Sequence, residues 1–99
     1  MAQQRHEVIF SPQAEDSLRS IVQDVQEVSL LSAEKLRKKI LHKMHLIQHQ
    51  PHSGSKRVTS IHSTDIRCAT VMHYKIFYAL RDMKVLVLEL LAEKMEKPV

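Results

Sequence analysis

The chain has 99 residues with 43% apolar side chains, one glycine, three prolines and one cysteine, which sizes it for one domain around one core. That composition excludes a disulfide scaffold and a low-complexity chain. Fifteen Lys and Arg against eleven Asp and Glu leave a net charge of +4, which favours nucleic acid, a nucleic-acid enzyme or an acidic protein as partner.

The start, Met1-Ala2-Gln3-Gln4-Arg5-His6, has no apolar signal region. The longest apolar run, residues 85–88 resuming at Leu90, is too short to cross a bilayer. Cys68 falls inside an apolar strand pattern, where a small buried hydrophobe is expected and not a nucleophile. A soluble, cytoplasmic protein is the expectation, with no membrane partner.

Val8-Ile9-Phe10 reads as a short first strand, stopped by Ser11-Pro12. Ser11 suits an N-cap and Pro12 the first helical position, where a missing N–H loses no bond. Glu15 falls one position late for a capping box. Ala14, Leu18, Ile21, Val22, Val25 and Val28 recur at helical steps and form one apolar stripe. Residues 29–32 interrupt the pattern, and Ser32 is placed to cap a second helix. Its stripe is Ala33, Leu36, Ile40, Met44 and Ile47, with Leu41 at the edge. The two helices should fold back antiparallel over residues 12–49.

Pro51-His52-Ser53-Gly54 ends the helical half, because proline fixes φ and glycine tolerates positive φ. The period then changes to two. Arg57-Val58 to Ile61 is a weak strand, followed by a polar turn at His62-Ser63-Thr64-Asp65. Residues 66–71 and 74–80 form one long strand or two pieces, Arg81-Asp82-Met83 is a tight turn, and residues 84–91 form the strongest strand. Pairing across that turn puts Tyr74, Ile76, Tyr78 and Leu80 on one face with Val85, Val87 and Leu91. Phe77 and Ala79 then share the other face with Leu86, Leu88 and Leu90. Helices can cover only one of two apolar faces, so the other calls for a partner.

Seven histidines raise a metal reading, and His42, His45 and His49 share one face of the second helix. No HExxH arrangement accompanies them, no cysteine is near and Lys38 shares the face, so a solvated face and no metal or cofactor are expected. Tyr74, Phe77 and Tyr78 could stack on bases, but packing in a small core is the stronger expectation. Arg37-Lys38-Lys39 and Lys43 suit a phosphate-facing helix or, with Glu34 nearby, an ordinary solvated one. Glu89 interrupts an apolar face and is expected to pair with a base such as Lys75 or to lie at an edge.

The order of parts resembles the RelE/ParE toxin superfamily of bacterial type II toxin–antitoxin systems. The resemblance rests on residues 8–18 (VIFSPQAEDSL), on Pro51-His52-Ser53-Gly54, and on His73-Tyr74-Lys75-Ile76-Phe77-Tyr78 before the last hairpin. It spans residues 7 to 95, nearly the whole chain, read as a single domain of residues 1–99. It implies an α+β fold with an N-terminal strand and a helix hairpin (12–49) on a three- to four-stranded antiparallel sheet. A strand meander (57–92) and a short tail (93–99) complete it. It also implies a cognate antitoxin whose flexible segment wraps the toxin, with Phe77, Leu86, Leu88 and Leu90 as candidate contacts.

Two activities coexist in that superfamily: ParE-like members poison DNA gyrase, and RelE-like members cut mRNA on the ribosome. Cleavage without a metal needs a base, an acid and cations around one phosphate. The candidates for such a set are Arg67, His73, Lys75 and Lys94, and the wider phosphate- or target-binding candidates are Lys56, Arg57, Arg67, Lys75, Lys94 and Lys97. Met95 stands where the cutting members carry an arginine, and Lys97-Pro98-Val99 offers no aromatic or imidazole. The resemblance therefore favours a gyrase-directed, plasmid-stabilising toxin that is not a catalyst. An mRNA endonuclease and a non-toxic interaction module of the same fold are the alternatives.

Overall fold

The computed structural model describes residues 6–57 and 65–92. The elements are β1 (Glu7–Phe10), α1 (Pro12–Val28), α2 (Leu30–His49), a 3-10 turn (Pro51–Ser53), β2 (Ser55–Arg57), β3 (Asp65–Val71), β4 (Tyr74–Arg81) and β5 (Lys84–Ala92).

Ser11 starts α1 as its position demands: its Oγ accepts from the Ala14 N–H at 3.0 Å, and Pro12 follows at the first turn. The same hydroxyl donates to the Leu88 carbonyl at 2.9 Å, which ties the cap to β5. One serine separates the two helices. The Ser29 N–H bonds the Val25 carbonyl at 2.8 Å to close α1, and its Oγ accepts from the Ser32 N–H at 3.2 Å to open α2. The cap is thus Ser29 and not Ser32, because the extended backbone at Ser29 (φ −158°) lets its side chain fold onto the next turn. Val28, at this elbow, is 88% exposed and lies outside the α1 stripe. On α2 the buried residues are Ala33, Leu36, Ile40, Met44 and Ile47, the stripe read from the sequence.

The sheet has the order β1-β5-β4-β3-β2. Strands β2 to β5 are the expected antiparallel set. β1 adds a fifth strand, parallel to β5 in the register Val8 to Val85 and Phe10 to Val87. β2 covers Ser55–Arg57, and the remainder of the strand read through Ile61, with the start of the turn after it, lies outside the described residues. The helix hairpin packs on one face, burying Ala14, Leu36, Ile40, Met44 and Ile47 against Ile76, Tyr78, Val85, Val87 and Leu90.

A bulge in β5 changes which residues face the helices. Tyr78 pairs with Val87 but Phe77 pairs with Glu89, so Leu88 is an extra residue between them. The alternation read from the sequence is inverted beyond that point. Leu90 moves to the core at 2% exposed, and Leu91 moves outward at 45% exposed. Leu90 therefore lies in the core and not at the surface, where an antitoxin contact is expected.

The two hairpin turns place non-glycine residues in the left-handed region: Met72 (φ 55°) between β3 and β4, and Asp82 and Met83 (φ 49° and 61°) between β4 and β5. The latter pair, closed by Arg81 opposite Lys84, has the φ signs of a type I′ turn. Gly54 has φ −75°, so positive φ is not what glycine supplies there.

Candidate interaction and target-binding site

Arg67 and Tyr78 are paired on β3 and β4 and face the helix side of the sheet, beneath the loop that leaves α2. The Tyr78 hydroxyl donates to the Pro51 carbonyl at 2.7 Å and accepts from the Gly54 N–H at 3.2 Å. A Cβ on residue 54 would overlap that hydroxyl and lie 3.0 Å from the Cys68 carbonyl, so glycine is required here for close approach. Burial pushes the Tyr78 phenol above its ordinary value, partly offset by the Gly54 N–H and by the nearby Arg67 charge.

The Arg67 guanidinium works on the same loop. Its Nη1 donates to the His52 and Gly54 carbonyls at 2.9 and 3.0 Å. Its Nε and Nη2 hold the two Asp65 carboxylate oxygens at 3.1 and 3.3 Å. A planar fork with five donors suits this double task, which a lysine could not repeat.

The other candidates lie elsewhere. Lys75 pairs with Thr70 and Leu91, on the face of the sheet opposite Arg67. His73 is exposed in the turn after β3. Four strand residues, about 13 Å at the usual rise, separate Arg67 from the start of that turn. The backbones of Lys56 and Arg57 pair with Arg67 and Ile66 on β2. Lys94 and Lys97 lie outside the described residues. Arg67, Lys75 and His73 are therefore not brought together around one phosphate.

Phe77 and Leu86 are half-buried on the face turned away from the helices, and Leu88 is half-buried beside them at the bulge. Cys68 is buried. Glu89 is engaged at the rim, where its Oε1 accepts from Gln13 Nε2 at 3.1 Å. On α2, the His45 and His49 rings lie 4.4 Å apart, and His49 Nδ1 donates to the His45 carbonyl at 2.9 Å. Among the described residues no group of three or more His, Cys, Asp or Glu is placed to hold a metal, and no helix is long and apolar enough to cross a membrane.

Sequence reasoning missed the Arg67–Tyr78 clamp. The signal for it in the sequence is the lone glycine after Pro51, whose pattern alone points to a turn.

The strand, helix hairpin and meander come in the order that the resemblance to the RelE/ParE superfamily implies. Residues 8–96 match the family described as ParE toxin of type II toxin-antitoxin system, parDE, and the chain belongs to that family. Among solved structures it is similar to a chain of the chromosomal ParDE toxin–antitoxin system from P. aeruginosa, with a TM-score of 0.72 at 14% identity. That alignment covers 94% of this chain and 100% of the other, and at this identity it speaks for the fold. No curated protein sequence matches the chain.

Proposed function

We propose that this ParE-family chain arrests growth by binding DNA gyrase in the cytoplasm, and that a cognate antitoxin neutralises it. It acts by binding and is not itself a catalyst. The observation that supports this reading is the placement of Arg67 and Lys75 on opposite faces of the sheet. Metal-free RNA cleavage needs its acid, base and cations around one phosphate, whereas a binder needs only a surface. The Arg67 fork is engaged by Asp65 and the 51–54 loop, and the further candidates for target contact are Lys75, Lys56, Arg57, Lys94 and Lys97. The face turned away from the helices, bearing Phe77, Leu86 and Leu88, receives a flexible segment of the antitoxin, which orders as it binds.

The test is gyrase supercoiling of relaxed plasmid with the purified chain, once circular dichroism has verified folding. Inhibition with trapped cleaved DNA, relieved by the antitoxin, is the expected result. Growth arrest with supercoiling intact would turn the reading to ribosome-dependent mRNA cleavage. Neither effect would leave an interaction module of the same fold.

A further inference from the structure

Between α1 and α2 opens a depression of about 630 Å³. Its apolar part is Phe10, Leu18, Val22 and Leu41. Val22 is buried, whereas Leu41, at the edge of the α2 stripe, is 63% exposed. Leucines scattered singly over a surface are ordinary, but one left in water beside a concave apolar surface marks a contact site. The rim is charged by Glu15 on α1 and Arg37 on α2. Both side chains are exposed, and among the described residues neither forms an ion pair. Arg19, the third charge on the rim, is already bonded to Asp16 at 3.2 Å.

Glu15 and Arg37 occupy related positions. The helices run back from a shared elbow at Ser29, so Arg37 lies about level with Ile21 and Leu41 about level with Ser17. Glu15 stands about 9 Å beyond the level of Arg37, at the usual 1.5 Å per residue. Leu18 and Leu41, one on each helix, are therefore about midway between the acid and the base. A twofold axis through that midpoint lays the α1 of a second copy over α2, with its Glu15 over Arg37. Opposite charges then meet twice, once on each side of the apolar centre. A surface whose charges answer each other under a twofold is self-complementary, which is the condition for an isologous contact.

We infer that this face pairs with a second copy of the chain, in a twofold dimer where Leu18 and Leu41 of both protomers meet and each Glu15 faces the partner's Arg37. Removing the leucines from water supplies the affinity. The two rim pairs, individually weak in water, fix the register and the antiparallel sense. The contact uses none of the residues assigned to gyrase or to the antitoxin.

Analytical ultracentrifugation of the full chain at low salt, from about 1 to about 200 µM, covers the range of a small interface. The mass should rise from 11.5 kDa towards twice that value. Leu41→Glu, shown by circular dichroism to be folded, should weaken the dimer by on the order of tenfold. Glu15→Arg and Arg37→Glu each set like charges against one another at both rims, and each should stay monomeric. Mixed in equal amounts, the two variants regain both opposite-charge pairs and should dimerise, an effect that no loss of folding imitates. A parent mass that stays at 11.5 kDa across the range leaves the groove to a segment of another protein and overturns the proposal. A dimer untouched by Leu41→Glu, or a mixture no heavier than its components, overturns it as well.

Discussion

Arg67 and Tyr78, directly opposite each other on β3 and β4, grip one loop from two sides. The tyrosine takes the Pro51 carbonyl and the Gly54 N–H, and the arginine takes the carbonyls of His52 and Gly54. The turn that joins the helical half to the sheet is thereby held by side chains of the sheet.

Tyr78→Phe keeps the ring in the core but leaves the Pro51 carbonyl and the Gly54 N–H without their partner. A loss of about 1–3 kcal/mol is expected, the usual penalty for a buried polar group left unpaired. Urea denaturation should show a lower midpoint with the slope unchanged.

The raised pKa of Tyr78 makes stability depend on pH at the alkaline end, with burial as the leading cause. The folded phenol holds its proton more tightly than the unfolded one, whose pKa is about 10. Its contribution is therefore complete below that pH and declines as pH rises through the higher folded value. The difference in unfolding free energy between the parent and Tyr78→Phe should be constant from pH 7 to about 9 and shrink above about 10. A difference that stayed flat through pH 11 would contradict it.

Gly54→Ala should destabilise by about 1–3 kcal/mol through overpacking, although its backbone φ of −75° is open to any residue. The double variant Gly54→Ala/Tyr78→Phe should be more stable than the sum of the two single losses predicts, because removing the hydroxyl clears the space the new methyl needs. A double-mutant cycle in urea measures that coupling. Strict additivity would show that the glycine answers to something other than Tyr78.

Leu90→Ala and Leu91→Ala test the bulge. Leu90 is 2% exposed and Leu91 45% exposed, so the first should cost about 2–5 kcal/mol and the second well under half of that. The uninterrupted alternation of the sequence predicts the reverse order.

The helix hairpin was legible in the sequence because its signals are local. Ser11-Pro12 fixes a start, and Ala33, Leu36, Ile40, Met44 and Ile47 repeat at helical spacing. The last hairpin was legible because strand period and turn agree over residues 78–87, up to the bulge. What could not be read was non-local. Nothing in Val8-Ile9-Phe10 says that its partner is β5 or that the pairing is parallel. The extra residue at Leu88 leaves no compositional mark, yet it exchanges the positions of Leu90 and Leu91. Arg67 looked like a surface cation because its partners include main-chain carbonyls at residues 52 and 54, which have no sequence signature.

The parallel pairing of β1 with β5 also orders events during synthesis. Val8 and Phe10 are made long before Val85 and Val87 and wait for them before that edge of the sheet exists. Until then the apolar stripes of α1 and α2 have no last strand to pack on, and closing so long a stretch of chain is entropically slow. The nascent chain thus passes through an interval in which both helical segments have been made but the sheet on which they pack is incomplete.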